Sequence, residues 1–142
     1  MNMTFPTPFH GAKLALFVGD NLAVILRDDR DDIPWPDCWD MPGGGREGSE
    51  TPMACALRET REELGLLIDP NAVVWGKRFD SDLGDKWFFV AHLPAQVARD
   101  IQLGDEGQRW VLMSTSEYIN HPKTIGPLGD RLRVYLNGES GD

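Results

Sequence analysis

The chain has 142 residues, 41% of them hydrophobic and 26% charged, and a net charge of −9. That is the length of one domain with a substantial core; the charge speaks against sequence-independent binding to a nucleic-acid backbone, and no apolar run approaches a membrane span. The first residues lack a leader pattern, and Cys38 and Cys55 stand alone without metal-binding or CxxC spacing. The expectation is a reduced, cytoplasmic protein, monomeric or homodimeric, with no nucleic-acid polymer and no membrane as partner.

Lys13 to Gly19 and Asn21 to Arg27 read as two strands meeting at a tight Gly-Asp-Asn turn. Residues 28–38, rich in aspartate and carrying Pro34 and Pro36, read as a loop. Met41-Pro42-Gly43-Gly44-Gly45 is a backbone-rich turn that a phosphate chain or metal ion could approach closely. Trp39, just before it, is expected to pack beneath. Thr51 as N-cap, Pro52 in the first turn and Gly65 as terminator mark a helix over 52–64. Its stripe of Met53, Leu57, Thr60 and Leu64 suits packing on a sheet.

Further strands are expected over 72–79 and 86–92, around a turn at 81–85, and over 110–113. Ser114 or Ser116 can cap a short helix through Ile119. Residues 127–136 read as a terminal helix that buries Leu128, Leu132 and Tyr135, followed by a loose tail over 138–142. This order predicts one α/β domain over 1–142, a mixed sheet between helices.

The helix over 52–64 carries the chemistry. Spacings of three and four residues put Glu59, Glu62 and Glu63 within an arc of about 100°. Like charges so placed repel by a few tenths of a kcal/mol per pair in an isolated helix, so a chain that keeps three together has a use for a cation there. Glutamates without a nearby histidine or cysteine pair suit magnesium or manganese and argue against zinc. Until a cation arrives, at least one of them should titrate above the ordinary value of about 4.3.

Gly44, Glu50, Arg58, Glu59, Glu62, Glu63, Gly65 and Leu66 fall on the spacing G-x5-E-x7-R-E-U-x-E-E-x-G-U, where U is usually bulky and apolar. This is the Nudix box, here 44–66, and the chain resembles the small MutT-like Nudix hydrolases. Thr60, at the first U position, is the one soft departure. The resemblance implies an α/β/α sandwich and hydrolysis, with magnesium or manganese, of a nucleoside diphosphate linked to another group. By position, Glu59 and Glu63 resemble direct metal ligands, and Glu62 either a third ligand or the group that takes a proton from the attacking water. The Gly43 carbonyl would join the metal, and Glu50 would hold a metal-bound water or a ligating carboxylate. Arg58 resembles the arginine that orients the glutamates or touches substrate, and Gly43, Gly44 and Gly45 line the phosphate approach.

Many such proteins add an acidic residue from a late loop, as ligand or general base. Here Glu106 is the candidate and Asp105 the second. Trp35, Phe79, Trp87 and Phe89 could stack on a base, although packing or loop anchoring is the expected role of each. Ser81-Asp82-Leu83-Gly84 carries neither the proline associated with ADP-ribose hydrolases nor the tyrosine of diadenosine polyphosphate hydrolases. A nucleoside triphosphate, cleaved to a monophosphate and pyrophosphate, is therefore expected. The alternatives are a nucleotide sugar, ADP-ribose or a dinucleoside polyphosphate as substrate, or a non-catalytic nucleotide-sensing domain. His10, His92 and His121 are scattered and carry no assigned chemistry.

Overall fold

The first strand, Gly11–Val18 (β1), is apolar at nearly every position, and its alternate residues feed two different cores. Such a run is what a strand covered on both faces requires. The computed structural model describes residues 8–142; residues 1–7, on which the missing leader pattern was read, lie outside the described residues. Gly19, at a φ of 64°, turns the chain into Asn21–Leu26 (β2), which runs antiparallel to β1.

On its other side β1 pairs in parallel with Lys86–Leu93 (β6), which pairs antiparallel with Val73–Phe79 (β5). Arg109–Met113 (β7) and the short Trp39–Asp40 (β3) pair with β2, and Gly43–Gly45 (β4) pairs with the start of β1. Among the described residues the result is one mixed sheet of seven strands.

Helix Pro52–Leu64 (α1) covers one face, where Cys55, Ala56 and Leu64 meet Leu14, Leu16 and Phe89. Thr115–Asn120 (α2) and Gly126–Leu136 (α3) cover the other, where Tyr118, Leu128 and Leu132 meet Ala15, Val24 and Phe88. This is the α/β/α sandwich expected. Each fully buried Leu or Phe of the two cores contributes about 1.5–3 kcal/mol by burial. Trp39, 5% exposed, packs in the α3-side core.

Three expectations change. The glycine run is a strand, because glycine alone tolerates the contact: a Cβ on Gly43 would lie 2.2 Å from the Ala12 carbonyl oxygen, and one on Gly11 2.5 Å from that of Gly44. The buried face of α1 is rotated from the expected stripe. Cys55 and Ala56 join Thr60 and Leu64 in the core, whereas Met53 and Leu57 are half-buried at its margin. Small side chains let the helix sit close to β1 and β4, and the Thr60 hydroxyl donates to the Ala56 carbonyl (2.7 Å), so its burial leaves no orphan donor. The tail expected to be loose is held along the edge of β5. Asp142 N–H donates to the Gly76 carbonyl (2.7 Å), its carboxylate accepts from Arg78 N–H (2.7 Å), and Trp75 Nε1–H donates to the Glu139 carbonyl (3.0 Å). An edge strand offers such unpaired backbone groups.

Candidate active site

The box helix starts and stops where its sequence dictates. Thr51 Oγ1 accepts from Ala54 N–H (3.1 Å), and Gly65, at a φ of 70°, donates its N–H to the Arg61 carbonyl. With its ends fixed, α1 carries Arg58 into the middle of the acidic residues. The guanidinium donates to both oxygens of Glu50 (2.8 and 3.0 Å), to Glu59 Oε1 (2.9 Å), to Glu62 Oε2 (2.8 Å) and to the Gly45 carbonyl (2.9 Å). Glu50 also accepts from Glu47 N–H (2.8 Å), and the contact with Arg58 keeps its carboxyl below the ordinary range. Arg58 thus offsets the mutual repulsion of three carboxylates at once.

The glutamates do not share one environment. Glu62 is half in solvent, while Glu59 lies against Gly44, where a Cβ would stand 2.7 Å from its carboxylate. Glu63 turns inward and accepts from Gly43 N–H (2.8 Å). Burial pushes its pKa up to about 8, against the opposing pull of Lys13 and the Gly43 N–H. Cys55 sits behind the same strand, and burial raises its thiol to about 12, which leaves it inert.

Three site residues were not singled out in the sequence: Lys13, Arg27 and Asp40. Asp40, 3% exposed, accepts from Lys13 Nζ (3.0 Å), from Arg27 Nη1 (3.1 Å) and from Met41 N–H (2.8 Å). Lys13 also donates to the Gly43 carbonyl (3.2 Å). A signal was present, since Lys13 is the one charge in the apolar run of β1 and Asp40 stands between two buried residues, Trp39 and Met41. A buried charge needs such partners.

Two cavities flank this group. An acidic pocket of about 150 Å³ is lined by Glu63, Glu106, Asp28 and Ile33 and shares Arg27 and Asp40 with its neighbour. That neighbour is a groove of about 570 Å³ walled by Lys13, Gly44, Gly45, Trp35, Lys86 and Arg131, among others. The fold therefore brings Glu106 to the cleft of Glu63, while Asp105 does not line it. Glu50 is held at Arg58.

Of the aromatic candidates, Trp35 is 47% exposed at the groove, held at a φ of 53° by a loop whose Asp37 accepts from Gln108 and Lys123 (both 2.8 Å). Positive φ at a bulky residue is strained and persists where the surroundings enforce it. Phe89 is core, and Trp87 stacks on it while also lining the groove. Phe79 packs edge-on against Phe88.

The oxygens of Glu59, Glu62, Glu63 and the Gly43 carbonyl are the donor set a hard divalent ion prefers, and a buried carboxylate with a raised pKa is a place for positive charge. Among the described residues, however, no three acidic side chains converge as a preformed cage. Glu59 and Glu62 lean on Arg58, and Glu63 on the Gly43 N–H. The chemistry of the donors fits magnesium or manganese, with Arg58 as the competitor for their charge.

The fold is similar to that of the MutT protein from Methanosarcina mazei, with a TM-score of 0.68 at 16% identity over 96% of this chain and 100% of that one. At that identity the likeness defines the fold. A NUDIX domain model matches residues 9–131, and the chain belongs to the Nudix family. It is 28% identical over 117 residues to an uncharacterized Nudix hydrolase of Listeria monocytogenes, covering 72% of this chain and 64% of the relative. It is 30% identical over 104 residues to an RNA pyrophosphohydrolase of a Marinomonas species, covering 66% of this chain and 58% of the relative. The chain thus spans less than two thirds of the length of these relatives.

Proposed function

We propose that this Nudix-family chain hydrolyses a phosphoric anhydride in a small nucleotide with the aid of magnesium or manganese, releasing a nucleoside monophosphate and pyrophosphate from a triphosphate. The observation that carries the reading is the common wall of the two cavities: Asp40, with Arg27 anchored on it, stands between a pocket lined by Glu63, Glu106 and Asp28 together with Arg30 and a groove lined by Lys13, Lys86 and Arg131. A diphosphate lying across that wall has Glu63 and Glu106 on one side, Lys13 and the Gly44–Gly45 backbone on the other, and Arg27 between them.

Glu59, Glu62, Glu63 and the Gly43 carbonyl would hold the ion, which when bound neutralises phosphate oxygens and activates a water. The rest falls to the chain. Asp40 fixes the directions of Lys13 and Arg27 towards the phosphates, and Arg58 keeps Glu59 and Glu62 in place. Glu106, which borders the pocket beside Glu63, is the candidate proton acceptor. The exposed face of Trp35 offers a stacking surface for the base. A cytoplasmic site of action follows from the isolated thiols, one of them fully buried. Among the described residues no helix is long and apolar enough to cross a membrane.

The test is a product-resolved assay with magnesium or manganese against nucleoside triphosphates, nucleotide sugars, ADP-ribose, dinucleoside polyphosphates and a 5′-triphosphorylated oligonucleotide, with Glu63→Gln as control. Metal-dependent cleavage that the control abolishes is the expected result. Saturable nucleotide binding without turnover on any member of the panel would instead make this a sensor.

A further inference from the structure

The basic end of the groove holds more positive charge than one diphosphate needs. Lys13 and Arg27 are already committed to Asp40 at the common wall. Lys86 and Arg131 line the same groove but not the acidic pocket, and among the described residues neither side chain has a hydrogen-bonding or ion-pair partner. Arg131 comes from α3, is half-buried, and rests its guanidinium 5.2 Å above the ring of Phe79. That cation–π contact holds the group over the ring and leaves its N–H donors unused. Burial lowers its pKa and the neighbouring charge of Asp130 opposes that only in part, a sign that the guanidinium is held partly out of water. In a chain of net charge −9, two unpaired cations in one groove need a reason.

We propose that Arg131 and Lys86 form a second phosphate subsite, so that the preferred substrate carries a phosphomonoester on its ribose in addition to the anhydride that is cleaved. The inference rests on the reading of the groove as the nucleotide site given above. A phosphomonoester brings about −1.5 to −2 charges near pH 7, which matches two cations, whereas a bridging phosphodiester brings about one. A planar guanidinium with its donors unused suits bidentate contact with phosphate oxygens. Trp35, if it stacks on the base, leaves the ribose hydroxyls as the positions from which such a group can reach this wall.

The experiment is calorimetric binding to the whole chain without added metal, using adenosine 5′-monophosphate, adenosine 2′,5′- and 3′,5′-bisphosphates, and the dinucleotide pApA. One bisphosphate should bind tighter than the monophosphate by about tenfold or more. That ratio should fall towards one in Arg131→Gln and in Lys86→Gln, recover in part in Arg131→Lys, and survive in Glu63→Gln. No preference for either bisphosphate, a preference that both Gln variants keep, or pApA binding as tightly as the bisphosphate would each overturn the proposal. Failure of the hydrolase reading shows separately, as absent metal-dependent cleavage with the binding ratio intact.

Discussion

Arg58 and Arg131 are both partly buried arginines beside the same cleft system, and they are handled in opposite ways. Arg58 has its donors spent on Glu50, Glu59, Glu62 and the Gly45 carbonyl, so its region is wired before any ligand arrives. Arg131 has an aromatic face and no acceptor among the described residues. The box is arranged to hold carboxylates still; the groove is arranged to receive them, or phosphates, from outside. A saturated arginine is a structural element, and an unsaturated one in a cavity is a binding element.

The sharpest way to break the wired half is at Glu63. Replacing it by Gln keeps the volume and the acceptor for Gly43 N–H but removes the charge. Turnover should drop by about a thousandfold or more with circular dichroism unchanged; near-normal magnesium-dependent turnover would remove Glu63 from the reaction.

Next is Arg58→Gln, which leaves Glu50, Glu59 and Glu62 without their common partner. Because Arg58 is partly solvent-exposed, the loss of stability should be about 2 kcal/mol rather than the larger figure for a fully buried pair. Denaturant unfolding measures it, and a change within about 0.5 kcal/mol would show the network to be idle.

A smaller effect is expected of Glu106→Gln, about a tenfold loss of rate, since the group borders the pocket without being built into it. An unchanged rate and metal affinity would return that loop to plain solvation.

The subtlest test is thermal stability against pH in chelator. Glu63 goes from an ordinary value of 4.5 to about 8 on folding, so the native state binds the proton more tightly than the unfolded chain. The associated stability is fully present below about pH 4.5 and is lost as pH rises towards 8. In Glu63→Gln that slope should vanish, so the variant should gain on the parent most at pH 8. An identical slope in both proteins would place the titration elsewhere.

Much of the wired half was legible beforehand because its contacts are local. The caps at Thr51 and Gly65 and the helix over 52–64 follow from local signals, and the pairing of Arg58 with glutamates of the box is what the resemblance implied. Glu50 meets Arg58 through a loop, a contact that the reading of Glu50 as holding a metal-bound water or a ligating carboxylate did not name. The groove was not legible in the same way. Lys13 meets Asp40 across 27 residues, and only the docking of β4 on β1 and of β3 on β2 makes them neighbours. Arg131 reaches Phe79 from α3, far along the chain. The strand at Gly43–Gly45 escaped because glycines carry no alternating pattern, and the tail because its backbone, not its side chains, makes most of its contacts with β5.

Gly44 has one more consequence. It bears no charge and no hydrogen-bonding side chain, yet a single methyl there would press on the carboxylate of Glu59 from 2.7 Å. Gly44→Ala would therefore act as an electrostatic mutation written in volume. It would push one negative group out of register with its neighbours while every ionisable residue stayed in the chain, so the charge constellation of this site has an uncharged member.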